Sequence, residues 1–420
     1  MPTDDFLKYT PEEKKQLQLE RLQSTLNRAY RQVNFHKKRM QASGFEPDQV
    51  ESIDDLTRLP FLNRSDFSEH YPYELFAVPL RDIVRIHTAP GTSRNPTVSG
   101  YTSQDLSMWR RITERALSAA SVSSHDILQI SFNPGLNNWG RDYKDSAENM
   151  GVSVIPNTQL SINKHFMVLR DYKTTVLVTT PALATQLADY MYREQVGPAV
   201  LKLQSIIIAG ETISEDFRKK IEERTFASCW LHYGLSEVPG PAIAFECHVH
   251  NGLHISEDHF IAEIIDSETE VVLPAGETGE LVLTTLTTRA FPLIRFRTGD
   301  MARIETVPCE CGNPLARMQW LNERADNIMK IDGVNIHEKQ VYNVLKNALP
   351  ALSGHVVCRV KEDNGRKLLE ILLPMNERIF SDEVKELETL LRGIENRLRE
   401  DLGVLVVIRL IESTSRELYV

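Results

Sequence analysis

The chain has 420 residues, of which 41% are hydrophobic and 25% are charged, and its formal net charge is -10. This composition predicts a globular protein with a sizeable core and at least two domains, and it argues against a broad basic surface for nucleic acid. Five cysteines are too few for a disulfide framework, the start of the chain lacks a signal-peptide pattern, and no apolar run is long enough to span a membrane, so we expect a cytoplasmic protein.

The first part of the chain predicts helices, followed by an alternation of strands and helices. Residues 11–41 are polar with recurring apolar positions, which predicts a helical segment. From about residue 80, β-rich runs alternate with helical stretches, the clearest being strands at 127–131, 175–178 and 205–208 and helices at 103–120 and 181–190. Such alternation indicates an α/β domain with a largely parallel sheet.

The pattern changes twice further along the chain. The β-rich runs 262–266 and 280–285 flank a turn-rich segment and predict an antiparallel, strand-rich subdomain. Beyond Arg324, a helix, two strands, a long amphipathic helix and a last strand indicate a compact α+β unit. We therefore predict an α/β fold with a large N-terminal domain, residues 1–324, and a small C-terminal α+β domain, residues 325–420.

Three short segments combine the residue types that a nucleotide site needs. Ala209, Gly210 and Glu211 follow a predicted strand, where a glycine lets the backbone approach a ligand. The segment Tyr233–Glu237 offers an aromatic ring, a hydroxyl and a carboxylate that suits a hard cation. Asp300 follows a glycine turn, from which a carboxylate can accept two hydrogen bonds from a ribose diol. Taken alone, each segment is also compatible with a plain turn.

The order and spacing of these segments resemble the phenylacetate–CoA ligase branch of the adenylate-forming enzymes. The resemblance implies that ATP or AMP binds at this site, with the segment 209–211 along the adenine and Asp300 on the ribose. In the segment Tyr233–Glu237 it implies that adenine stacks on Tyr233, that Ser236 contacts phosphate and that Glu237 binds Mg²⁺. Gly234 belongs to the same nucleotide-binding segment.

A second set of residues resembles the hinge of the same enzymes. Arg324, followed two residues later by Asp326, matches the point where a mobile C-terminal lid pivots between two half-reactions. The resemblance implies that Arg324 contacts the nucleotide and that Asp326 absorbs the backbone change. Gly333 would then lie along the path of the CoA pantetheine.

The cysteines suggest a structural zinc site. Cys309 and Cys311 form a Cys-x-Cys pair, and Cys247 lies some sixty residues upstream, so three thiolates and one imidazole provide a plausible ligand set. His248 and His250 compete as the fourth ligand on spacing alone. The resemblance favours His254, because some members of the branch carry zinc at matching positions. The remaining cysteines, Cys229 and Cys358, have no evident partners and are expected in the core.

The phosphate loop departs from the pattern of the family. In the family this loop ends in Gly-Lys-Pro-Thr, and it holds phosphate with backbone N–H groups and a cation. The chain keeps Gly91, Thr92 and Ser93, but Arg94 stands at the expected glycine and Asn95 at the expected lysine. Whether Arg94 supplies the cation or points to solvent stays open.

Two further regions differ from the resembling ligases. The C-terminal lysine that reaches the α-phosphate would fall at about Val420, where it is absent. In the acid-binding region, Trp139 and Tyr143 could flank an aromatic acid and Arg141 or Lys144 could meet a carboxylate, or the segment packs one Trp into the core. Phenylacetate itself is therefore doubtful as the substrate.

Two functions are compatible with these observations. The favoured one is ATP-dependent activation of an aromatic or small carboxylic acid as an acyl-adenylate, with transfer to CoA or to the thiol of an acyl carrier protein. The alternative is a degenerate relative that binds nucleotide or acyl-adenylate as a partner subunit, since both lysines are missing. The sequence leaves the oligomeric state open, with a homodimer as one option.

Overall fold

The computed structural model describes residues 5–89, 95–132, 137–156, 160–238, 240–326, 328–331, 334–348, 356–363, 366–375 and 384–412. The chain forms two compact units, Met1–Asp326 and Asn327–Val420. Each unit has a hydrophobic core of its own. Among the described residues, no helix is both long and apolar enough to cross a membrane.

The described α-helices of the first unit all lie before residue 226, and the last five of them connect successive strands. They are α1 (Pro11–Gln32), α2 (Asn34–Ala42), α3 (Arg64–Glu69), α4 (Ser103–Ala119), α5 (Asn137–Asn149), α6 (Ile162–Asp171), α7 (Pro181–Arg193) and α8 (Glu215–Thr225), with short 3-10 helices at Asp5–Lys8, Pro47–Gln49, Ile53–Arg58 and Leu80–Asp82. Helix α1 begins with a capping box, in which Thr10 Oγ1 accepts from the Glu13 amide at 3.2 Å and Glu13 Oε2 accepts from the Thr10 amide at 2.8 Å. The helix predicted across 11–41 is interrupted at Val33, whose extended backbone separates α1 from α2.

The strands of the first unit form a small hairpin and one large sheet. They are β1 (Arg85–Ala89), β2 (Thr97–Tyr101), β3 (Ile127–Ser131), β4 (Ser153–Ile155), β5 (Val176–Thr179), β6 (Ser205–Ala209), β7 (Ser228–Tyr233), β8 (Ala244–Glu246), β9 (Leu253–Ile255), β10 (Phe260–Ile265), β11 (Thr278–Thr285), β12 (Phe296–Glu305) and β13 (Arg317–Arg324). The large sheet joins eleven of these described strands in the order β10-β11-β12-β13-β9-β8-β7-β6-β5-β3-β4. Strands β3 to β7 pair in parallel, and every pairing from β7 to β10 is antiparallel.

The predicted α/β fold is confirmed. The central strands of the parallel half of the sheet are buried on both faces, and in β5 every residue is buried. Parallel sheets are buried in this way because helices cover both of their faces. The strands predicted as an antiparallel subdomain are found as β10 and β11, and they extend the same sheet as the parallel strands.

The second unit is a small α+β fold. Its elements are the hairpin β14 (Ile328–Ile331) and β15 (Val334–His337), helix α9 (Glu338–Ala348), strands β16 (Val357–Asp363) and β17 (Arg366–Met375), helix α10 (Val384–Leu402) and strand β18 (Val406–Glu412). Strands β17 and β18 pair in parallel with α10 as the crossover, and β16 pairs antiparallel to β17. Buried residues such as Leu345, Leu369 and Leu398 form the core of this unit.

Candidate functional site

The adjacent ends of β6 and β7 bring two of the predicted segments together. The two strands run parallel, with Ala209 opposite His232, so the residues that follow them leave the sheet at the same edge. Gly210 has a φ of +99°, which an L side chain rarely adopts. Glu211 is buried next to it. The residues Ala209 to Glu211 and Tyr233 to Glu237 therefore lie at one edge of the sheet.

Asp300 is held at this edge from two directions. The hydroxyl of Tyr233 donates to Asp300 Oδ2 at 2.8 Å, and Nη1 of Arg324 donates to Asp300 Oδ1. The ring of Tyr233 is fully buried and meets Trp320 edge-on at 4.7 Å between centroids. Burial and the neighbouring Asp300 carboxylate raise the pKa of Tyr233 well above its usual value, so the phenol stays a donor. This arrangement fixes the orientation of a nearly fully buried carboxylate.

Gly299 allows Arg324 to fold back over the turn. Nε and Nη2 of Arg324 donate to the two carboxylate oxygens of Asp326 at 2.8 and 2.6 Å. A Cβ at Gly299 would collide with that carboxylate and with the guanidinium, and its φ of +75° also favours glycine. Burial alone would lower the pKa of Arg324. The Asp300 and Asp326 carboxylates raise it by more, so the pKa of Arg324 lies above its usual value. Arg324 thus directly contacts the other two predicted residues, Asp300 and Asp326.

Glu237 is paired with an arginine that the sequence did not reveal. Nη1 of Arg64 donates to Glu237 Oε1, while Oε2 accepts from the Ser236 hydroxyl at 3.4 Å. Arg64 lies at the start of α3 and is separated from Glu237 by 173 positions, so no local motif signals the pair. Only the fold brings this cation to the predicted Mg²⁺ ligand.

The carbonyl oxygen of Thr298 links the two arginines. It accepts from Nη2 of Arg64 at 3.1 Å and from Nη2 of Arg324 at 3.1 Å. The amide of the next residue, Gly299, donates to Glu280 Oε1 at 3.1 Å. A continuous polar network therefore runs from Glu237 through Arg64, Thr298 and Arg324 to Asp300.

Several predicted residues lie outside the described residues. These are the phosphate-loop residues Gly91, Thr92, Ser93 and Arg94, the pantetheine residue Gly333 and the C-terminal Val420. Asn95, which stands at the expected lysine, is described: its amide donates to Ser68 Oγ at 3.2 Å and its Nδ2 donates to the Ser68 carbonyl at 3.0 Å. The residue that replaces the lysine is therefore bonded to α3, the helix that carries Arg64.

The predicted acid-binding region forms part of α5. Trp139 and Tyr143 are both buried and belong to one hydrophobic cluster. Arg141 is exposed, and Lys144 pairs with Glu148 on the same helix at 2.9 Å. The two rings thus face inward, while the two cations lie toward the surface of the helix.

The four predicted metal ligands converge. One ligand atom from each of Cys247, His254, Cys309 and Cys311 lies within 4.8 Å of the other three. Nδ1 of His254 lies 3.2 Å from the Leu315 carbonyl, a contact that makes Nδ1 the donor and leaves Nε2 to face Cys311 Sγ at 3.3 Å. Three thiols and one imidazole nitrogen in a mostly buried cluster form a donor set that fits tetrahedral Zn²⁺.

The competing histidines lie elsewhere. His248 is exposed, and Nδ1 of His250 lies 3.2 Å from Arg218 Nη1 and 3.3 Å from Glu246 Oε2. Cys229 is buried in the large core cluster of the first unit, and Cys358 packs against the core of the second. The fold therefore selects His254 among the histidines that spacing alone left open.

Comparison with known proteins identifies the family. A family model described as AMP-binding enzyme matches residues 150–287, and one described as AMP-binding enzyme C-terminal domain matches residues 333–418. The phenylacetate-coenzyme A ligase of Thermus thermophilus is 33% identical over 419 residues, covering 96% of this chain and 94% of that relative. The chain belongs to the phenylacetate–coenzyme A ligase family. The Pseudomonas putida phenylacetate-coenzyme A ligase is 37% identical over 328 residues, covering 78% of this chain and 74% of the relative.

A solved structure supports the fold assignment. The 2-hydroxyisobutyryl-CoA ligase in complex with 2-HIB-AMP and CoA has a TM-score of 0.87 and 22% sequence identity, covering 99% of this chain and 91% of that one. The resemblance inferred from the motifs is confirmed by these relatives, and the protein is an enzyme of the adenylate-forming ligase class. Because the chain belongs to the phenylacetate–coenzyme A ligase family, the network around Asp300 is a candidate nucleotide-binding site.

Proposed function

We propose that this enzyme activates a carboxylic acid with ATP and transfers the acyl group to CoA. In the first step a carboxylate oxygen of the acid attacks the α-phosphorus of ATP and releases pyrophosphate. In the second, the CoA thiolate attacks the acyl carbon and AMP leaves. The observation that carries the proposal is Asp300, which Tyr233 and Arg324 orient at the edge where β6 and β7 end.

The residues at this edge suit the binding of a nucleotide. Asp300 would accept from the ribose diol, and the backbone of Ala209 to Glu211 with the ring of Tyr233 would border the adenine. Arg324 would lie against the nucleotide, and its bidentate contact with Asp326 would place the hinge beside it. A preorganised carboxylate favours binding because its orientation costs nothing at the moment of contact.

Charge neutralisation would come from Glu237 and Arg64. Glu237, together with phosphate oxygens, would hold Mg²⁺, and the ion would offset the charge of the leaving pyrophosphate. Arg64 ends beside the same carboxylate, with its side chain 19% exposed, so its guanidinium can reach a phosphate when Mg²⁺ takes its place on Glu237. We propose that Arg64 supplies part of the positive charge that is lost because Asn95 stands in place of the lysine.

The four-residue cluster would bind one structural Zn²⁺. Cys247 and His254 lie at β8 and β9, and Cys309 and Cys311 lie in the segment between β12 and β13. The ion would tie these antiparallel segments together on the strand-rich side of the sheet. Its bonds would stabilise the fold and would take no part in the reaction.

The proposed activity is tested by acid-dependent exchange of pyrophosphate into ATP over a panel of aryl and small aliphatic acids. We expect exchange with at least one acid, followed by thioester formation when CoA is added. A carrier protein supplied in place of CoA tests the alternative acceptor. ATP binding without exchange for any acid would instead support a nucleotide-binding partner subunit.

The zinc assignment is tested by elemental analysis of the purified protein. We expect one Zn²⁺ per chain in the wild type and less than about a third of that in Cys309→Ser, because a structural site needs all four ligands. Cys358→Ser, a cysteine of the second unit, is the matched control and should retain the full content. Equal zinc in the two variants would contradict the assignment.

A further inference from the structure

The imidazole of His232, beside the proposed nucleotide site, has one ring nitrogen without a hydrogen-bond partner among the described residues. His232 precedes Tyr233 in β7, so its side chain lies on the opposite face of the sheet. It is fully buried, and its Nε2 has no hydrogen-bond partner among the residues that the structure describes. Buried polar groups in folded proteins nearly always have a partner, so this nitrogen points to a group that binds during function.

The other nitrogen of His232 is held by Tyr143. Their Nδ1 and hydroxyl oxygen lie 2.8 Å apart, and the two rings stack with centroids 5.9 Å apart and an interplanar angle of 22°. Burial lowers the pKa of His232 to about 3, so the imidazole is neutral at physiological pH. When the Tyr143 hydroxyl donates to Nδ1, the proton of the neutral ring lies on Nε2. His232 then offers an N–H donor at the unpartnered position.

Aromatic side chains lie on the same side of the strand end as this donor. Tyr143 lies between Phe132 and His232, stacked on both. Trp139, one helical turn before Tyr143, has its Cζ2 3.3 Å from the position that a Cβ on Gly234 would occupy. The rings of Tyr143 and Trp139 thus lie on the face of the strand end to which His232 projects.

We propose that His232 Nε2 binds an oxygen substituent on the acyl group of the acid, so that the enzyme selects a hydroxy or oxo acid over its unsubstituted counterpart. The inference rests on the proposed function, because it places the acyl group next to the residue that precedes Tyr233. Tyr143 acts through His232 as a positioning residue, since it fixes the tautomer that donates. A site built to pair with a substrate oxygen discriminates strongly against analogues that lack it, because the buried donor is then left unpaired.

The test measures binding of stable acyl-adenylate analogues, the acyl-adenosine sulfamates, by calorimetry. Three matched pairs are compared: mandelic with phenylacetic, 4-hydroxyphenylacetic with 4-methylphenylacetic, and 2-hydroxyisobutyric with pivalic. In at least one pair we expect the oxygenated analogue to bind the wild type about 10-fold or more tightly, with the preference falling to about 1 in His232→Leu. His232→Gln, which retains a donor, should keep part of the preference, and Tyr143→Phe should reduce it about 3-fold or more.

The control is His36→Leu, which removes a buried histidine from α2 and should leave the preference unchanged. No preference in any pair, or an equal loss for both members of a pair in His232→Leu, would overturn the inference. Pyrophosphate exchange with the same free acids separates the two proposals. Exchange with only the unsubstituted acids refutes the role of His232 and leaves the ligase activity intact, whereas selective binding without any exchange supports His232 and refutes the activity.

Discussion

At the scale of single residues, the candidate site depends on side chains that are distant in sequence. Tyr233 precedes Asp300 by 67 positions and Arg324 follows it by 24, and both bond to its carboxylate. Hydrogen bonds to a charged group contribute about 1.5–3 kcal/mol each. Substitution of the carboxylate should therefore lower the stability of the fold as well as the affinity for nucleotide.

Asp300→Asn is expected to lower kcat/KM for ATP in pyrophosphate exchange by about 10- to 100-fold, because the amide offers one acceptor oxygen in place of two. Steady-state kinetics with a saturating acid measure the effect. Asp216→Asn, an exposed residue of α8, is the control and should behave as the wild type. A kcat/KM within 3-fold of the wild type for Asp300→Asn would remove Asp300 from the nucleotide site.

Gly299→Ala is expected to destabilise the first unit by about 2–3 kcal/mol, through backbone strain and the collision with Arg324 and Asp326. Gly276→Ala is the matched control, because Gly276 has a φ of +89° but nothing within 4 Å of an added Cβ. It should lose only the strain, about 1 kcal/mol. Urea unfolding of both variants gives the comparison, and equal losses would show that the close contact over Gly299 is unimportant.

The sequence predicted most of these residues and missed one for a physical reason. The informative motifs contain Tyr233, Glu237, Asp300, Arg324 and the four proposed metal ligands. Arg64 lies in a short surface-like helix, and its ion pair with Glu237 forms only when α3 is placed beside the sheet. Long-range pairs of this kind leave no local pattern.

At the scale of elements, side chains at helix starts also join separate parts of the chain. Asp105 lies in the first turn of α4, where its Oδ2 accepts from the Thr102 amide at 2.9 Å. The same carboxylate accepts from the amides of Arg289 and Ala290 at 2.6 and 3.2 Å. One nearly fully buried carboxylate therefore caps a helix and anchors the loop between β11 and β12.

Asp105→Ala is expected to lower the free energy of unfolding by about 3 kcal/mol, because it removes a cap and leaves two loop amides without their acceptor. Chemical denaturation followed by circular dichroism measures the loss. Asp66→Ala removes the capping carboxylate of α3, which accepts a hydrogen bond from the Asn63 amide, and should cost about 1 kcal/mol. If the two losses were equal, the anchoring role of Asp105 would be refuted.

Element predictions succeeded where the pattern is strong and local. Helix α4 was expected at 103–120 and is observed at Ser103–Ala119, with Thr102 as its cap. The interruption at Val33 was not foreseen, because the polar helical pattern continues across it. The pairing of the antiparallel strands with the parallel ones likewise depends on contacts that the sequence does not encode locally.

At the scale of the whole molecule, buried histidines link stability to pH. Burial lowers the pKa of His36 to about 3, with a smaller contribution from Arg39, and it lowers the pKa of His165 to about 4. An unfolded histidine titrates near 6.5, so below that pH the unfolded chain binds more protons than the folded one. The stability that these two histidines contribute is therefore fully present above about pH 6.5 and is lost as the pH is lowered toward 3.

His36→Gln is expected to reduce the loss of stability between pH 7 and pH 5 by about 2 kcal/mol, because glutamine has no proton to take up. Urea unfolding at the two pH values measures the difference. His125→Gln, at an exposed position, should show the same loss as the wild type. An unchanged loss in His36→Gln would mean that the pKa of this imidazole is the same in the folded and the unfolded chain.

The double contact on the Thr298 carbonyl has a consequence for the hydration of the site. A carbonyl oxygen has two lone pairs, and here each faces a guanidinium, while the amide on the other side of the same peptide plane faces Glu280. That peptide unit has no position left for water and cannot rotate. We expect the Gly299 amide to exchange its hydrogen slowly before any nucleotide binds, so that this peptide unit is already dry and rigid when the ligand arrives.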